Sequence, residues 1–335
     1  MSRQLRASAP ARANLIGNPS DQYAGTTLSC SLALRAHASV ETADETEIRT
    51  VKGSLRIADP ADLVPRGDDF DLGRVALAEL DAPGPLLLAY HSEVPSASGV
   101  GGSSALLVAL LGALGAWLER PLEPPALAEA AREVERKRLG IQCGFVDHYM
   151  AVFGGLQFLD FAGKADVPGQ GPGPFARLES LAERVPRLPF LLGFTGVRHH
   201  SGSVHAPIRQ RFERGEARVI EAYARVAEIG RLGRAALIGA DWNGLAELMN
   251  ENHAIQRDLG GSGESNEALI EAARAAGAPA AKLAGAGDGG TVVALWPDED
   301  FAPLEQAFVK AGAAALWHPR PVAGLVVEDA EGPRG

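Results

Sequence analysis

Apolar and polar positions divide the chain into segments with strand periodicity and segments with helix periodicity. Short apolar or alternating runs between turn residues predict strands, and longer runs with apolar positions three and four residues apart predict helices. The predicted strands cover residues 4–16, 26–40, 47–57, 86–90, 190–195, 291–296 and 322–328. The predicted helices cover residues 105–117, 126–138, 147–152, 208–237, 242–259, 264–276 and 301–312. The last helix and the last strand are expected to close a two-layer unit of helices on a sheet.

Two stretches lack either period. Residues 59–74 are rich in Pro, Gly and Asp and predict a surface excursion, and residues 166–174, DVPGQGPGP, predict an exposed connection. A length of 335 residues is typical of two domains. We therefore predict a boundary between residues 180 and 190, with domains at 1–185 and 186–335.

Composition narrows the class of protein. The formal charge is −10 and the chain has no dense run of Lys or Arg, which argues against a nucleic-acid or anionic-membrane partner. Two cysteines cannot form a disulfide framework. No run approaches the ~20 apolar residues of a membrane span. The expectation is a cytoplasmic protein, monomeric or homodimeric, with no membrane or nucleic-acid partner.

A glycine-rich loop follows the predicted strand at residues 86–90. The stretch SASGVGGSSAL contains Gly99, Gly101 and Gly102, then Ser103 and Ser104, and then runs into an apolar helix. Glycines let the backbone approach a ligand, and the unpaired N–H groups of a helix start attract anions. The serines can cap the helix or supply a hydroxyl to a metal ion. The same pattern is also found in plain tight connections. It is neither a Walker A loop, since no Lys follows the last glycine, nor GxGxxG.

Several polar residues stand where a simple structural explanation competes with a functional one. The pentad GNPSD at residues 17–21 is turn chemistry, and taken alone it predicts a solvated turn. Asp147 lies in the apolar stretch GFVDHYM, where an unpartnered carboxylate is costly to bury, although it can also cap a helix. Glu135 is on the preceding helix, where a solvated face is the usual explanation.

Two later segments carry further candidates. Three histidines lie within residues 199–205, but that segment holds no Cys or carboxylate to complete a metal site, so a metal role is disfavoured. The stretch KLAGAGDGG at residues 282–290 enters a predicted strand, as hairpin glycines often do.

Three of these stretches, in order, resemble the motifs of the GHMP kinase superfamily, the group of galactokinase, homoserine kinase, mevalonate kinase and phosphomevalonate kinase. They are ARANLIGNPSD, SASGVGGSSAL and KLAGAGDGG. The glucuronokinase branch is the most similar, through GNPSD, LGIxxGxxDxxxxxxGG at residues 139–155 and SGxVHxxxRxR at residues 201–211. The resemblance implies an α+β two-domain GHMP kinase fold. It has an N-terminal α/β domain with the glycine loop and a C-terminal ferredoxin-like α/β sandwich.

The resemblance also implies roles for individual residues. Asp147 and Arg12 would be the catalytic pair, and Ser104 and Glu135 would hold Mg²⁺, with Ser103 as the alternative hydroxyl. Arg12 matches the galactokinases, whereas Val100 and Gly101 depart from the usual Gly and Leu of the glycine loop. ATP would be bound by Gly99, Gly101, Gly102, Ser103, Ser104, Gly285, Gly287 and Gly289. The acceptor would be bound by Asn18, Ser20, Asp21, Tyr23, Arg198 and His199.

The implied activity is an ATP- and Mg²⁺-dependent sugar kinase, with the anomeric hydroxyl of D-glucuronate as the preferred acceptor and glucuronate 1-phosphate as the product. A uronate carboxylate needs a cation or several donors. The available basic side chains are Arg198, His199, His200, Arg209 and Arg211. The alternatives are a kinase for galactose, arabinose or a phosphorylated heptose, and a catalytically silent regulator that binds nucleotide and sugar.

Overall fold

A computed structural model describes residues 3–82, 84–164, 175–197, 201–285 and 287–329, with backbone alone at 201–205. The predicted connection at residues 166–174, and Arg198, His199 and His200, lie outside the described residues. The described chain forms two sheets of eight and four strands. The predicted α+β class with two layered units is confirmed.

The larger sheet is built mainly by the first half of the chain, in the order β12-β1-β2-β5-β3-β4, with β6 on β2 and β7 on β6. All its neighbours are antiparallel except β3 and β5. Its strands are β1 (Gln4–Ile16), β2 (Thr26–Thr42), β3 (Glu47–Thr50), β4 (Gly53–Arg56), β5 (Leu86–Ser92), β6 (Leu156–Asp160), β7 (Arg177–Ser180) and β12 (Val326–Asp329).

Strand β1 shows how the two sheets come together. Buried and partly exposed positions alternate over its first residues, and then every position from Ala9 to Ile16 is buried. Alternation is typical of a strand with one solvated face, whereas continuous burial requires cover on both faces. The second half of β1 has that cover because Leu15 and Ile16 pack into a core with Leu245, Met249 and other residues from the second half of the chain.

Four helices cover the other face of the larger sheet. They are α1 (Asp71–Glu79), α2 (Gly102–Trp117), α3 (Pro124–Lys137) and α4 (Val146–Phe153). Helix α2 is apolar nearly all round, as expected of a helix enclosed between a sheet and other helices. Its buried residues form one core with β2, β5, α3 and α4.

The smaller sheet is antiparallel throughout, in the order β11-β8-β10-β9. Its strands are β8 (Phe190–Phe194), β9 (Ala280–Leu283), β10 (Thr291–Leu295) and β11 (Ala315–Trp317). The helices of this half are α5 (Ser201–Glu213), α6 (Ala217–Ile238), α7 (Trp242–Asp258), α8 (Glu264–Ala275) and α9 (Ala302–Lys310). If these strands are numbered 1 to 4 along the chain, their order across the sheet is 4-1-3-2, which is the ferredoxin-like arrangement predicted for this half.

The structure corrects four details of the sequence-based prediction. The strand at residues 47–57 is the β3–β4 hairpin, and the helix at 208–237 is two helices, since Gly215 between them has φ +76°. The surface excursion at 59–74 already contains the start of α1. The last strand does not close the second unit, because β12 pairs with β1 in the larger sheet.

The domain boundary near residue 185 stays a prediction. No helix of the described residues is long and apolar enough to cross a membrane.

Candidate functional site

The three motif loops meet at one place, where the ends of β1, β5 and β9 come together. Arg12 of β1 donates from its backbone N–H to the Val100 carbonyl at 2.9 Å and from Nη1 to the Gly99 carbonyl at 2.7 Å. Thr291 donates to the Ser98 carbonyl at 2.7 Å. Gly285 lies so close that a Cβ there would be 2.7 Å from the Gly99 carbonyl oxygen. The glycine loop is therefore held from both sides by the other two motifs.

Arg12 and Asp147 form an ion pair beside this loop. The Arg12 Nε and Nη2 atoms donate to Asp147 Oδ1 at 2.8 and 2.5 Å. The arginine side chain is buried, whereas 26% of the Asp147 side chain remains exposed. Asp147 lies in the first turn of α4, and its carboxylate is 3.5 Å from where a Cβ on Gly101 would be. The carboxylate is thus fixed by a buried cation, yet it remains open to a ligand.

The glycine loop leads into the start of α2. Gly101 precedes the first helical residue with φ +78°, a left-handed conformation that favours glycine. The first helical hydrogen bond runs from Ala105 N to Gly101 O at 3.0 Å, so the N–H groups before Ala105 have no partner within the helix. Neither serine caps the helix by its side chain. The geometry is that of an anion site at a helix N-terminus.

Both serines point instead at Glu135. Ser103 Oγ donates to Glu135 Oε1 at 3.1 Å, and Ser104 Oγ donates to Oε2 at 2.9 Å. His148 Nε2 lies 2.7 Å from the same Oε2. The Glu135 side chain is 3% exposed, so the solvated-face interpretation of this residue is wrong. Burial raises the pKa of Glu135, but the hydrogen bonds from His148 and the serines outweigh it, and the net shift is downward.

These oxygens fit a hard divalent cation. A carboxylate and two hydroxyls are the ligands that Mg²⁺ prefers, and here they converge at the N-terminus of α2, where the glycine loop ends. The sequence analysis named these three residues but missed His148, which orients the carboxylate. Its only sequence signal is its place next to Asp147.

The third motif forms a tight loop in which two of the glycines have no room for a side chain. Gly287 has φ +100°, and a Cβ there would be 1.6 Å from the Gly261 carbonyl oxygen. Gly289 has φ +113° and lies against Val197. Asn266 of α8 accepts from the Gly289 N–H at 2.7 Å and donates to its carbonyl at 2.9 Å. Asn266 thus holds this loop, and the sequence analysis did not identify it.

The pentad at residues 17–21 is buried, so the interpretation of it as a solvated turn is wrong. Asn252 of α7 accepts from the Gly17 N–H at 2.9 Å and donates to the Asn18 carbonyl at 3.0 Å. Lys282 Nζ donates to Asn18 Oδ1 at 2.6 Å and also to the Leu283 carbonyl. Asn252 and Lys282, more than 230 residues further along the chain, therefore supply the partners that let this polar loop be buried.

The other residues of this region that were predicted to bind the sugar also make contacts within the protein. Asp21 Oδ2 accepts from the N–H groups of Phe145 and Val146 at 2.7 and 3.1 Å, which caps the helix that carries Asp147. Ser20 donates to the Gly17 and Thr26 carbonyls at 2.7 and 3.1 Å. The Tyr23 ring stacks 3.9 Å from Tyr223, and burial raises the pKa of Tyr23 to about 12. Their roles toward a substrate stay predictions.

Comparison with known proteins decides the family. The profile described as GHMP kinases N terminal domain matches residues 72–155, and the profile described as GHMP kinases C terminal matches residues 234–314. The chain belongs to the GHMP kinase superfamily. It is a phosphotransferase of that superfamily, as the resemblance implied.

Similar proteins differ in the substrates that their names give. A mevalonate kinase of Pyrococcus abyssi is 27% identical over 89% of this GHMP kinase and 90% of its own length. Glucuronokinase 1 of Arabidopsis thaliana is 32% identical over 67% of this chain, and the match spans 62% of that protein. The structure of Lactococcus lactis galactokinase with galactose superposes with a TM-score of 0.80 at 15% identity, covering 96% of this chain and 95% of that one, which shows the shared fold.

Two arginines of α5 in this GHMP kinase have different surroundings. Arg209 Nη1 donates at 3.1 Å to Oε1 of Gln142, which lies in the segment 139–155 that also carries Asp147. Its Nε donates to Glu213 at 2.7 Å. Arg211 makes a two-point pair with Glu216 at 2.9 and 2.7 Å. Arg209 is thus hydrogen-bonded to the segment that carries Asp147, whereas Arg211 is bonded to Glu216 and to the Leu259 carbonyl.

Proposed function

We propose that this GHMP kinase transfers the γ-phosphoryl group of ATP to a hydroxyl of a sugar, with Mg²⁺ as the cation. The observation that carries the proposal is the Arg12–Asp147 pair, whose carboxylate is partly exposed. The pair lies beside the N-terminus of α2 and beside the hydrogen-bonded group of Ser103, Ser104 and Glu135, called here the Ser–Glu cluster. A base, an anion site and a set of oxygen ligands within one site are the parts that phosphoryl transfer requires.

The chain's own groups account for the chemistry. The N–H groups of the glycine loop and of the start of α2 would bind the triphosphate. Ser104 and Glu135, with Ser103 beside them, would hold the cation, which neutralises charge on the phosphate oxygens. Asp147 would orient the acceptor hydroxyl and accept its proton as the new bond to phosphorus forms. Arg12 would keep the carboxylate in place and add positive charge near the transferred group.

We propose D-glucuronate as the acceptor and its anomeric hydroxyl as the reacting group, giving glucuronate 1-phosphate. A buried sugar carboxylate without a partner is costly, so the site must offer a cation besides Arg12. Among the described residues, Arg209 is a candidate for this cation, because it contacts Gln142, five residues before Asp147. Burial raises the pKa of Tyr23, and the charge of Arg209 lies close enough to that phenol to oppose the rise.

The test is an ADP-release screen of neutral sugars and uronic acids, followed by a pair of matched variants. Arg209→Gln should lower the glucuronate-to-galactose ratio of kcat/KM by roughly tenfold or more, the effect of losing one charged hydrogen bond. Arg211→Gln removes the same charge two positions away, where the arginine is paired with Glu216, and should leave the ratio unchanged. Equal kcat/KM on glucuronate and galactose in the wild type would refute the uronate proposal and leave sugar phosphorylation standing.

One observation favours a neutral sugar as the second candidate. Arg209 already has an acidic partner in Glu213, so part of its charge is neutralised within α5. Galactose, arabinose or a phosphorylated heptose would be phosphorylated by the same base and phosphate site, and the same screen includes them. A silent regulator would bind ATP and sugar without releasing ADP on any member of the panel.

A further inference from the structure

Three side chains of different chemistry converge behind the Ser–Glu cluster. A carboxylate oxygen of Glu135, Cys143 Sγ and an imidazole nitrogen of His148 all lie within 4.8 Å of one another. They come from α3, from α4 and from the loop between them. We propose that this Glu–Cys–His cluster binds a borderline divalent cation, such as Zn²⁺ or Co²⁺, through carboxylate, thiolate and imidazole.

The donor set decides the class of metal. Mg²⁺ prefers oxygen ligands, whereas a thiolate and an imidazole favour Zn²⁺ and the later divalent transition metals. Three protein ligands with an open fourth position are the arrangement of reactive zinc sites. Ser104, whose hydroxyl is 2.9 Å from Glu135, or a water molecule would complete a tetrahedron.

One ring nitrogen of His148 makes no hydrogen bond, which is unusual for a buried histidine with a purely structural role. The residue is fully buried, and its Nε2 atom contacts Glu135 at 2.7 Å. Its Nδ1 atom is buried with no hydrogen-bond partner among the described residues. A buried polar atom without a partner is costly, and it calls for an explanation in a native structure. A cation bound at Nδ1 would supply that explanation, because a ligand bond would take the place of the missing hydrogen bond.

Charge balance also allows the site. The thiol of Cys143 would give its proton to solvent as the sulfur–metal bond forms. The dication, the Glu135 carboxylate and the thiolate then sum to zero, so the buried site carries no net charge. Glu135 would be shared with the proposed Mg²⁺ site, and the two cations would therefore exclude each other. Binding itself does not depend on the proposed kinase activity and can be measured without substrates.

The experiment is a Co²⁺ titration of the metal-free full chain, followed by absorption spectroscopy. A thiolate–Co²⁺ bond gives a charge-transfer band in the near ultraviolet, and tetrahedral Co²⁺ gives strong visible bands. We expect both bands to saturate at one ion per chain and to disappear when Zn²⁺ is added. Absence of the charge-transfer band in the folded wild type would overturn the proposal.

The chain offers a matched control, because its two cysteines differ in position. Cys143→Ser should abolish the charge-transfer band and weaken Zn²⁺ binding in equilibrium dialysis at least tenfold. Cys30→Ser alters a fully buried cysteine in the core that contains Leu15 and Ile16, and it should keep both the band and the Zn²⁺ affinity. A band that survives in Cys143→Ser, or that is lost in folded Cys30→Ser, would contradict the assignment. If Cys143→Ser does not fold, a band retained in Cys30→Ser still assigns the bond to Cys143, the remaining thiol.

Discussion

Replacing Lys282 by Met should make the stability of the protein less dependent on pH. Lys282 is 1% exposed, and its Nζ contacts Asn18 Oδ1 and the Leu283 carbonyl, both uncharged acceptors. Burial lowers the pKa of Lys282 from 10.5 to about 7. The folded state thus prefers the neutral amine, whereas the unfolded chain keeps the ammonium.

The sign and size of the effect follow from the two pKa values. Below about pH 7 both states are protonated, and the folded state bears the whole cost of the buried charge, at most about 5 kcal/mol. Between about 7 and 10.5 the unfolded state binds more protons, so the stability of the wild type rises with pH. The gain between about pH 6.5 and about pH 9.5 is about 3 kcal/mol. The two oxygen acceptors favour the charged form, which makes these figures upper limits.

The assay is urea unfolding of the wild type and of Lys282→Met at both pH values. The variant leaves Asn18 Oδ1 without its donor, which costs about 1–3 kcal/mol at either pH. The free energy of unfolding of the wild type, relative to that of the variant, should therefore increase by up to about 3 kcal/mol as the pH rises. The exposed lysine Lys52 gives the control variant Lys52→Met, which should show no such change. If the difference in unfolding free energy between the wild type and Lys282→Met is the same at both pH values within about 0.5 kcal/mol, Lys282 remains charged in the folded protein.

Three further predictions concern the loops and the cation. Asp147→Asn should keep the fold and ATP binding but lower kcat by about 10²–10⁴-fold, and near-normal turnover would remove Asp147 from the mechanism. Glu135→Gln and Ser104→Ala should each raise the Mg²⁺ concentration for half-maximal rate, since each removes or weakens an oxygen ligand; an unchanged titration would contradict that role. Gly287→Ala should lower the free energy of unfolding by about 2 kcal/mol more than Gly312→Ala. Both glycines have positive φ, but only the Cβ at Gly287 would meet a carbonyl, 1.6 Å away, so equal losses would refute the steric argument.

Local patterns along the sequence predicted the elements whose conformation depends on near neighbours. The apolar run of α2, the strand β5 before it and the glycines between them lie where periodicity and turn chemistry placed them. The motifs also led to the superfamily, and hence to the ferredoxin-like second half. The break between α5 and α6 was missed because the helical pattern continues across Gly215.

Burial of polar groups was decided by the tertiary structure. Nothing near GNPSD in the sequence shows that Asn252 and Lys282 supply its partners, so local chemistry predicted a solvated turn. Glu135 presented the same difficulty, because a helical glutamate is solvated unless side chains from other elements, here Ser103, Ser104 and His148, satisfy it. A polar residue can be buried only if its hydrogen bonds are made, and those partners are brought close only when the chain folds.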